Sequence, residues 1–197
     1  WPGVVQAIKD LPEPAAVAFE ASGACGFLFE KLSEVAQRVV VAHPGHLRLI
    51  YASRKKNDRI DAKKLAQLLY VEAIPQAHVP AAAVRQWRQL IQVRRSLVQR
   101  RTAVKNQVHA MLRNLGIKPE KHLFSRKGQR WLLTLAMDET SSLQRTLLTE
   151  ELRQLHQQIR QVEKQLRRQS SDDPRIALLK SVPGVGPRTA EAYVAYV

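Results

Sequence analysis

The chain has 197 residues, 45% of them hydrophobic, and a formal net charge of +15. This composition is ordinary for a globular protein of one large or two small domains. The sequence contains no apolar run of about 18 residues, as a transmembrane helix requires, and no visible signal peptide. The single cysteine, Cys25, excludes an intramolecular disulfide and suits a reducing cytosol.

The positive charge is concentrated in one segment of the chain. Residues 1–80 hold 10 basic and 8 acidic residues, a net +2, and residues 136–197 hold 9 and 8, a net +1. Residues 81–135 hold 13 basic residues and one acid, Glu120, a net +12. A field of this strength and sign points to a polyanionic partner, either nucleic acid or an anionic membrane surface.

The first 80 residues have an α/β pattern. Two short apolar runs, AAVAF at 15–19 and RVVVA at 38–42, have the length and composition of buried parallel strands. The stretch between them, GFLFEKLSEVAQ, carries apolar residues at helical spacing. A second helix begins near Asp58, and a third extended stretch follows at 77–81. We therefore predict a partial α/β domain with a parallel sheet over residues 1–80.

Residues 81–170 have the pattern of a long helical arm. No proline or glycine occurs from Ala82 to Leu115, which predicts one amphipathic helix of about 50 Å. One small helix is expected around Arg130–Met137. A strict heptad seam follows, formed by Leu148, Leu152, Leu155, Ile159, Val162 and Leu166. The two long helices are predicted to fold back as an antiparallel coiled coil or to pair with a second chain in a homodimer or larger oligomer, and simple core packing explains the stripes equally well.

The polar break SSDDP at 170–174 leads into the last segment, residues 171–197, which continues as two helices around Pro-Gly-Val-Gly at 183–186. This is the pattern of a helix-hairpin-helix, in which Gly184 and Gly186 allow close approach and Thr189 lies in the following helix. Amides of such a turn and helix start can bind one phosphate oxygen without reading sequence. The alternative is a helical turn with no ligand.

The long basic helix lacks acids with which its cations could pair. Ordinary surface helices alternate charges to gain pairs four residues apart, so we expect a nucleic acid to offset the repulsion here. A solvated face is the alternative, and a membrane-surface role is disfavoured because the apolar stripe fits a coiled-coil seam. The cations are Arg85, Arg88, Arg94, Arg95, Arg100, Arg101, Lys105 and Arg113.

Three acids are candidates for metal chemistry. Glu20 directly follows the first apolar run, at the strand end where open α/β sheets bind ligands. Asp58 and Asp61 lie three residues apart at a helix start, where they could cap the helix or bind a metal ion. Carboxylates converging from different elements can bind Mg²⁺ for phosphodiester chemistry. Lys55, Lys56 and Arg59 would then neighbour the phosphates.

Two further features are interpreted as structural. His43 and His46 flank Pro44-Gly45, which makes a rigid helical spacing improbable, so we assign them to a loop and not to a metal site. Cys25 lacks a partnered histidine, and we expect it to be a small buried filler.

Taken in order, these motifs resemble the DEDD-type insertion-sequence transposases, a group of RNA-guided recombinases with a RuvC-like N-terminal domain. VAFEASGACGFLFEKL resembles the acid-bearing segment of that family, and KNDRIDAKKLAQLL resembles its second acidic motif. The basic and heptad helices resemble its coiled-coil region, and SVPGVGPRTA resembles the hairpin that opens its C-terminal transposase domain. The resemblance covers essentially the whole chain.

The resemblance implies a function and a set of site residues. Glu20, Asp58 and Asp61 correspond to the second, third and fourth acids of the catalytic tetrad, with Mg²⁺ as cofactor. The first aspartate is expected upstream of Trp1 and the nucleophilic serine downstream of Val197, so we expect a fragment of a longer protein. DNA and a structured RNA are the implied partners, in the prokaryotic cytoplasm and at the nucleoid. A binding module without chemistry and a RuvC-like junction nuclease are the alternatives.

Overall fold

The computed structural model describes residues 2–50 and 57–197, with the backbone alone for residues 48–50. The chain divides into two compact units, Trp1–Arg85 and Gln86–Val197. No helix in the described parts is both long enough and apolar enough to cross a membrane.

The first unit contains a small parallel sheet with helices around it. Its strands pair in register from Ala16 opposite Arg38 to Glu20 opposite Ala42, which confirms both predicted strands and their parallel pairing. The apolar helix between them is also confirmed. The elements in chain order are α1 (Pro2–Lys9), β1 (Ala16–Glu20), α2 (Cys25–Ser33), β2 (Arg38–Ala42), α3 (Pro44–Ile50) and α4 (Asp58–Tyr70).

The third extended stretch predicted at 77–81 does not form a strand. The chain instead makes a single antiparallel bridge between Gln76 and Ala42, supported by hydrogen bonds from the His43 amide to Pro75 O and from the Ala77 amide to Val41 O. Pro80 lacks the amide hydrogen that strand pairing needs, and the next helix begins at Ala82. The hydrogen bonding with β2 therefore does not extend beyond this bridge.

The core of the first unit lies between the sheet and helix α4. Leu68 of α4 and Ile74 are buried against Val40 and Ala42 of β2. Ala18 of β1 and residues Leu47, Leu65 and Leu69 pack around this cluster. The apolar positions of α4 recur three and four residues apart, so one face of the helix covers the sheet.

All regular secondary structure in the second unit is helical. The predicted long helices are confirmed, with α5 of 33 residues and therefore about 50 Å long. The helices are α5 (Ala82–Asn114), α6 (Arg126–Thr134), α7 (Glu139–Ser170), α8 (Pro174–Lys180) and α9 (Pro187–Tyr196).

Helices α5 and α7 lie antiparallel to each other. Arg94 of α5 pairs with Glu163 of α7 at 2.7 Å. Arg100, later in α5, lies 3.8 Å from Glu151, which comes earlier in α7. The two helices therefore run in opposite directions. Five of the six predicted heptad positions are buried, and Val162 packs beside them. The heptad stripe thus packs inside this unit.

Two apolar clusters fill the second unit. One joins the later part of α5 to α6 and the start of α7, with Val108 and Leu112 of α5, Leu132 of α6 and Leu155 of α7 at its centre. The other joins Trp87 of α5 and Leu166 of α7 to α8 and α9. Residues 171–197 therefore pack against the two long helices and do not stand apart from them.

Helix α6 begins earlier than the sequence predicted. It starts at Arg126 because the Ser125 hydroxyl accepts a hydrogen bond from the Gly128 amide at 3.1 Å, and it ends at Thr134 where Leu135 is extended. A side chain on Gly128 would overlap the backbone carbonyls of His122 and Leu123. Glycine is therefore required for the close approach between this helix and the preceding turn.

Candidate functional site

Glu20 is the last residue of β1 and is exposed. It lies opposite Ala42 in the parallel register, so the carboxyl ends of both strands meet at one edge of the sheet. The next amide, of Ala21, still donates to Ala42 O at 2.9 Å, after which the chain leaves the sheet. Glu20 thus lies at the edge where open α/β sheets bind their ligands.

Asp58 and Asp61 lie in the first turn of α4, but neither of them caps the helix. The cap is Asn57, whose side-chain oxygen accepts from the Arg59 amide at 3.0 Å and whose carbonyl accepts from the Asp61 amide at 3.0 Å. Of the two roles that the sequence left open for these aspartates, the cap hydrogen bond is therefore made by the neighbouring Asn57. Both aspartates are exposed, and neither forms an ion pair or a side-chain hydrogen bond with the described residues.

Packing brings the elements that carry the three acids into contact. Helix α4 lies against β1, with Leu65 and Leu68 on the sheet side of the helix. Asp58 and Asp61 share one helical face because they are three residues apart. Within residues 2–50 and 57–197, however, no three histidine, cysteine, aspartate or glutamate side chains are grouped closely enough to hold a metal ion. Glu20 is therefore not assembled with the aspartates into a ready-made ligand set.

The prediction that His43 and His46 lie in a loop is wrong for His46, which lies in α3, whereas His43 is the connecting residue between β2 and α3. Pro44 is the first residue of α3, a position where the missing amide hydrogen of proline costs nothing. The Nδ1 atom of His43 accepts from the His46 amide at 3.4 Å, and the two rings stack with centroids 4.4 Å apart. His43 follows Ala42 and so lies at the same sheet edge as Glu20.

The remaining candidate residues of the first unit are three cations near the aspartates and the single cysteine. Lys55 and Lys56 lie outside the described residues, and Arg59 is exposed. Cys25 is half-buried, and burial raises the pKa of its thiol although the nearby Arg85 and a backbone hydrogen bond oppose the shift. A thiol with a raised pKa is a poor nucleophile, which agrees with a structural role for Cys25.

The basic helix α5 is partly neutralised by residues far away in sequence. Arg94 pairs with Glu163, and Arg88 donates to the Ala195 carbonyl at 2.6 Å while its guanidinium lies over the Tyr196 ring. Within the first unit, Arg85 pairs with Glu30. The repulsion that we attributed to missing acids within α5 is thus relieved in part by tertiary contacts.

Other cations of α5 stay available. Arg95 is exposed and makes no ion pair among the described residues, and Arg100 makes only the long contact to Glu151. Arg101 and Lys105 are half-buried on the side that faces α7. The helix therefore presents two kinds of positive surface, an open one and a recessed one.

The turn between α8 and α9 has a defined geometry. The Val185 amide donates to Val182 O at 3.1 Å across Pro183 and Gly184, and Gly184 has a φ of 87°. Proline followed by a glycine with positive φ is the pattern of a type II turn. A side chain at Gly184 would be strained by this backbone conformation.

Gly186 ends the turn and precedes the first residue of α9. Its φ of −81° is available to any residue, and a Cβ atom built on it would meet nothing within 4 Å. The space beside Gly186 is thus open to solvent, next to exposed Thr189 and to first-turn amides that have no acceptor within the helix.

A buried carboxylate that no sequence pattern indicated, Glu191, lies in α9. Its side chain is enclosed between Arg188 and Ser170, and burial raises its pKa against the opposing effect of Arg188. Arg94 and Glu163 also act on its charge. The partners are up to 97 positions away along the chain, so no local spacing pattern indicates them.

The comparisons with known proteins agree with one class, the transposases. A family profile described as a transposase, the DEDD type of the IS110 group, matches residues 3–117, which is more than half of the chain. This chain belongs to the IS110 family of DEDD transposases.

Two curated relatives are similar over most of the chain. A "Probable family 20 transposase" of Pseudomonas aeruginosa is 27% identical over 197 aligned positions, covering 95% of this chain and 56% of that protein. The "Transposase for insertion sequence element IS1328" of Yersinia enterocolitica is 28% identical over 187 positions, covering 90% and 53%. The chain spans about half the length of the curated relatives it matches.

Proposed function

We propose that this chain supplies three catalytic carboxylates and a nucleic-acid-binding arm to an insertion-element transposase. The whole protein would bind DNA and a structured guide RNA and would catalyse Mg²⁺-dependent strand cleavage and exchange. Membership of the transposase family supports this proposal, since it indicates an enzyme that acts on a mobile element.

One observation carries the catalytic part of the proposal. Asn57 accepts the hydrogen bond of the Arg59 amide at the start of α4, so neither aspartate is needed as the cap. The carboxylates of Asp58 and Asp61 stay exposed on one face of the helix. That helix lies against β1, whose last residue is Glu20. A carboxylate that is not needed as a cap can bind a cation without destabilising the helix.

The donor set suits a hard divalent cation. All three side chains offer carboxylate oxygens, which Mg²⁺ prefers, and neither Asp58 nor Asp61 pairs with a cation among the described residues. When bound, the ion would polarise a phosphodiester. The residues of the chain would hold the ion against the sheet edge, while Arg59, together with Lys55 and Lys56, would attract the phosphates of the strand.

The binding part of the proposal rests on the open cations of α5 and on the α8–α9 turn. Exposed Arg95 and Arg100 would contact backbone phosphates, with Arg101 and Lys105 behind them. One further phosphate oxygen would fit in the open space at Gly186 and would receive hydrogen bonds from the backbone amides near Thr189. Arg94 is a weaker candidate than the sequence indicated, because its guanidinium already pairs with Glu163.

The finer architecture belongs to the same proposal. A RuvC-like fold for residues 1–80 is supported by the parallel strands with the acids beside them. An antiparallel coiled coil over 81–170 is supported by the buried heptad positions, and the helix-hairpin-helix over 171–197 by the type II turn. A homodimer or larger oligomer formed through the arm, in the cytoplasm and at the nucleoid, completes the proposal.

Isothermal titration of the 197-residue chain with Mg²⁺ tests the catalytic part. Asp58→Asn and Asp61→Asn should each weaken binding at least tenfold, since each removes one of three proposed ligands. Glu13→Gln, which removes an exposed carboxylate before β1, is the matched control and should leave affinity unchanged. Equal affinity in all four proteins would remove these aspartates from the metal site.

Duplex binding measured against salt tests the nucleic-acid part. Replacing Arg95 and Arg100 by Gln should lower the slope of log K against log salt by about 0.9 for each phosphate that the chain no longer neutralises. A salt response that is flat in the wild-type chain would contradict an electrostatic arm.

A binding module without chemistry is the second candidate. The observation in its favour is that no metal-holding group of three side chains is assembled among the described residues. Salt-dependent binding together with no Mg²⁺ uptake at Asp58 and Asp61 would select this alternative.

A further inference from the structure

A cleft of about 480 Å³ lies in the second unit between α6 and α7, beneath Phe124. The buried side chains of Leu132 and Leu152 form its apolar floor, and Leu133 adds an exposed apolar wall. His156 and Arg160 of α7 also line it. A concave site of this size with an apolar floor and a few polar groups is typical of small-ligand sites.

Phe124 separates this cleft from a second one. The neighbouring cleft, of about 360 Å³, is lined by His109, Lys121 and His122 and also reaches Phe124. The Lys105 ammonium lies 4.7 Å from the centre of the phenyl ring, and the His109 ring meets it edge-on at 5.4 Å. The ring thus has one ammonium group over its face and one imidazole at its edge, and it is only half-buried.

The charges around Phe124 repel one another. Burial lowers the pKa of His156, and Arg101, Lys105 and Arg160 lower it further. Burial and the adjacent Arg101 lower the pKa of Lys105 as well. Three cations, Arg101, Lys105 and Arg160, therefore surround His156, and Arg160 lines the cleft itself.

The one carboxylate in the cleft does not compensate them. Glu150 is held by Arg153 through two hydrogen bonds of 2.7 and 2.8 Å, and by Gln154 at 3.0 Å. These contacts lower the pKa of Glu150 to about 2, so it stays ionised and paired within its own helix. The buried Nε of Arg101, moreover, has no hydrogen-bond acceptor among the described residues. Arg101, which acts on the charge of His156 beside the cleft, thus has a donor without an acceptor.

We propose that this cleft binds one unpaired nucleotide of a single-stranded nucleic acid segment. The base packs against Phe124 and the leucine floor, and the phosphate lies between Arg160, Arg101 and Lys105. This inference deepens the proposed function and rests on it, since it assigns the arm a site for a base outside a duplex. A paired base is stacked inside its helix and cannot present its face to a side chain, whereas an unpaired base can.

The shape and the chemistry of the recess together select this ligand class. A simple inorganic anion would use the cations and leave the apolar floor uncovered, and an apolar ligand would leave the cations unneutralised. A nucleotide satisfies both because its base is flat and apolar on its faces and its phosphate is anionic. RNA and single-stranded DNA share this chemistry.

The test uses single-stranded oligonucleotides of one sequence, as RNA and as DNA, with 2-aminopurine as the probe base. Anisotropy gives the affinity for the 197-residue chain, and the 2-aminopurine emission reports whether the base meets an aromatic ring. Phe124→Leu should abolish the emission change and weaken binding roughly tenfold, in the range expected for one base stacked on an aromatic side chain. The RNA and DNA arms identify the natural source.

Charge is tested with a matched pair of variants on α7. Arg160→Gln should weaken binding and lower the salt slope by about 0.7, as expected for one phosphate of a single strand. Arg167→Gln, an exposed arginine of the same helix outside the cleft, should have a clearly smaller effect. Arg160 is exposed, so its replacement keeps the test valid even where Phe124→Leu lowers the melting temperature.

The failures of this site and of the proposed function are distinguishable. If the chain binds oligonucleotides but Phe124→Leu keeps the emission change and Arg160→Gln equals Arg167→Gln, the cleft inference is overturned and the nucleic-acid function stands. If the wild-type chain binds neither duplex nor single strand, both are overturned.

Discussion

Glu191 of α9 is 1% exposed, and one of its carboxylate oxygens lies 2.6 Å from the guanidinium of Arg188 one turn earlier. Its other oxygen accepts a hydrogen bond from the Ser170 hydroxyl of α7 at 3.0 Å. A buried carboxylate is tolerated only where it is paired and hydrogen-bonded. The contact therefore ties the start of α9, beside the proposed phosphate-binding turn, to the end of α7.

The pH dependence of stability should report on Glu191. Burial raises its pKa above the ordinary value of 4.5, so the native chain keeps this proton to a higher pH than the unfolded chain does. The contribution of Glu191 to the free energy of unfolding therefore falls as the pH rises from about 4.5 through the native pKa. Glu191→Gln lacks this dependence, so its stability relative to wild type should increase with pH across urea titrations.

The control for this prediction is Asp172→Asn, which removes an exposed carboxylate from the same unit. It accounts for the general effect of removing one negative charge from a basic chain. A stability difference between Glu191→Gln and wild type that decreases with rising pH would contradict a raised pKa.

The start of α4 offers a test that separates capping from metal binding. Asn57→Ala should lower the free energy of unfolding of the first unit by about 1 kcal/mol, because it removes the cap hydrogen bond to the Arg59 amide. Asp58→Asn should cost roughly 0.5 kcal/mol or less, since only an interaction with the helix dipole is removed. Chemical denaturation of the two variants without metal measures this difference, and a larger loss in Asp58→Asn would restore the aspartate as the cap.

Gly128 should tolerate no side chain. Gly128→Ala would drive its methyl group into the carbonyls of His122 and Leu123, and backbone cannot move aside as a flexible side chain can. We expect a loss of about 1–3 kcal/mol in thermal or urea unfolding. Lys127→Ala, at the exposed neighbouring position, should stay within about 0.5 kcal/mol. A neutral Gly128→Ala would mean that α6 is not packed this closely.

The antiparallel pairing of α5 and α7 can be measured by two double-mutant cycles. The Arg94–Glu163 pair is 2.7 Å long with about a quarter of each side chain exposed, so replacement by Gln should give a coupling energy of about 1 kcal/mol. The Arg100–Glu151 pair, at 3.8 Å and more exposed, should give less than about 0.5 kcal/mol. Equal coupling energies for the two ion pairs would contradict the greater burial of the Arg94–Glu163 pair.

The sequence predicted the elements that a local pattern of apolar residues marks. The strands at 38–42 and next to Glu20, the long helix from Ala82 and the heptad helix follow from apolar period and from the absence of glycine and proline. Apart from the strand predicted at 77–81, the differences lie at helix starts, where Asn57, Ser125 and Pro44 decide the boundary by one hydrogen bond or one missing amide hydrogen. A periodicity is averaged over a whole segment, so it does not show a single hydrogen bond that sets a helix boundary.

By itself, the sequence determined the order of the motifs, the concentration of positive charge in one helix and the resemblance that the family match confirmed. Only the tertiary structure decided which cations remain open, because Glu163 and Glu30 reach α5 from elsewhere in the chain. It alone placed Phe124 among Arg101, Lys105 and His156, and it alone buried Glu191. Charge and periodicity are properties of neighbours along the chain, whereas pairing, burial and recesses depend on residues that only folding brings together.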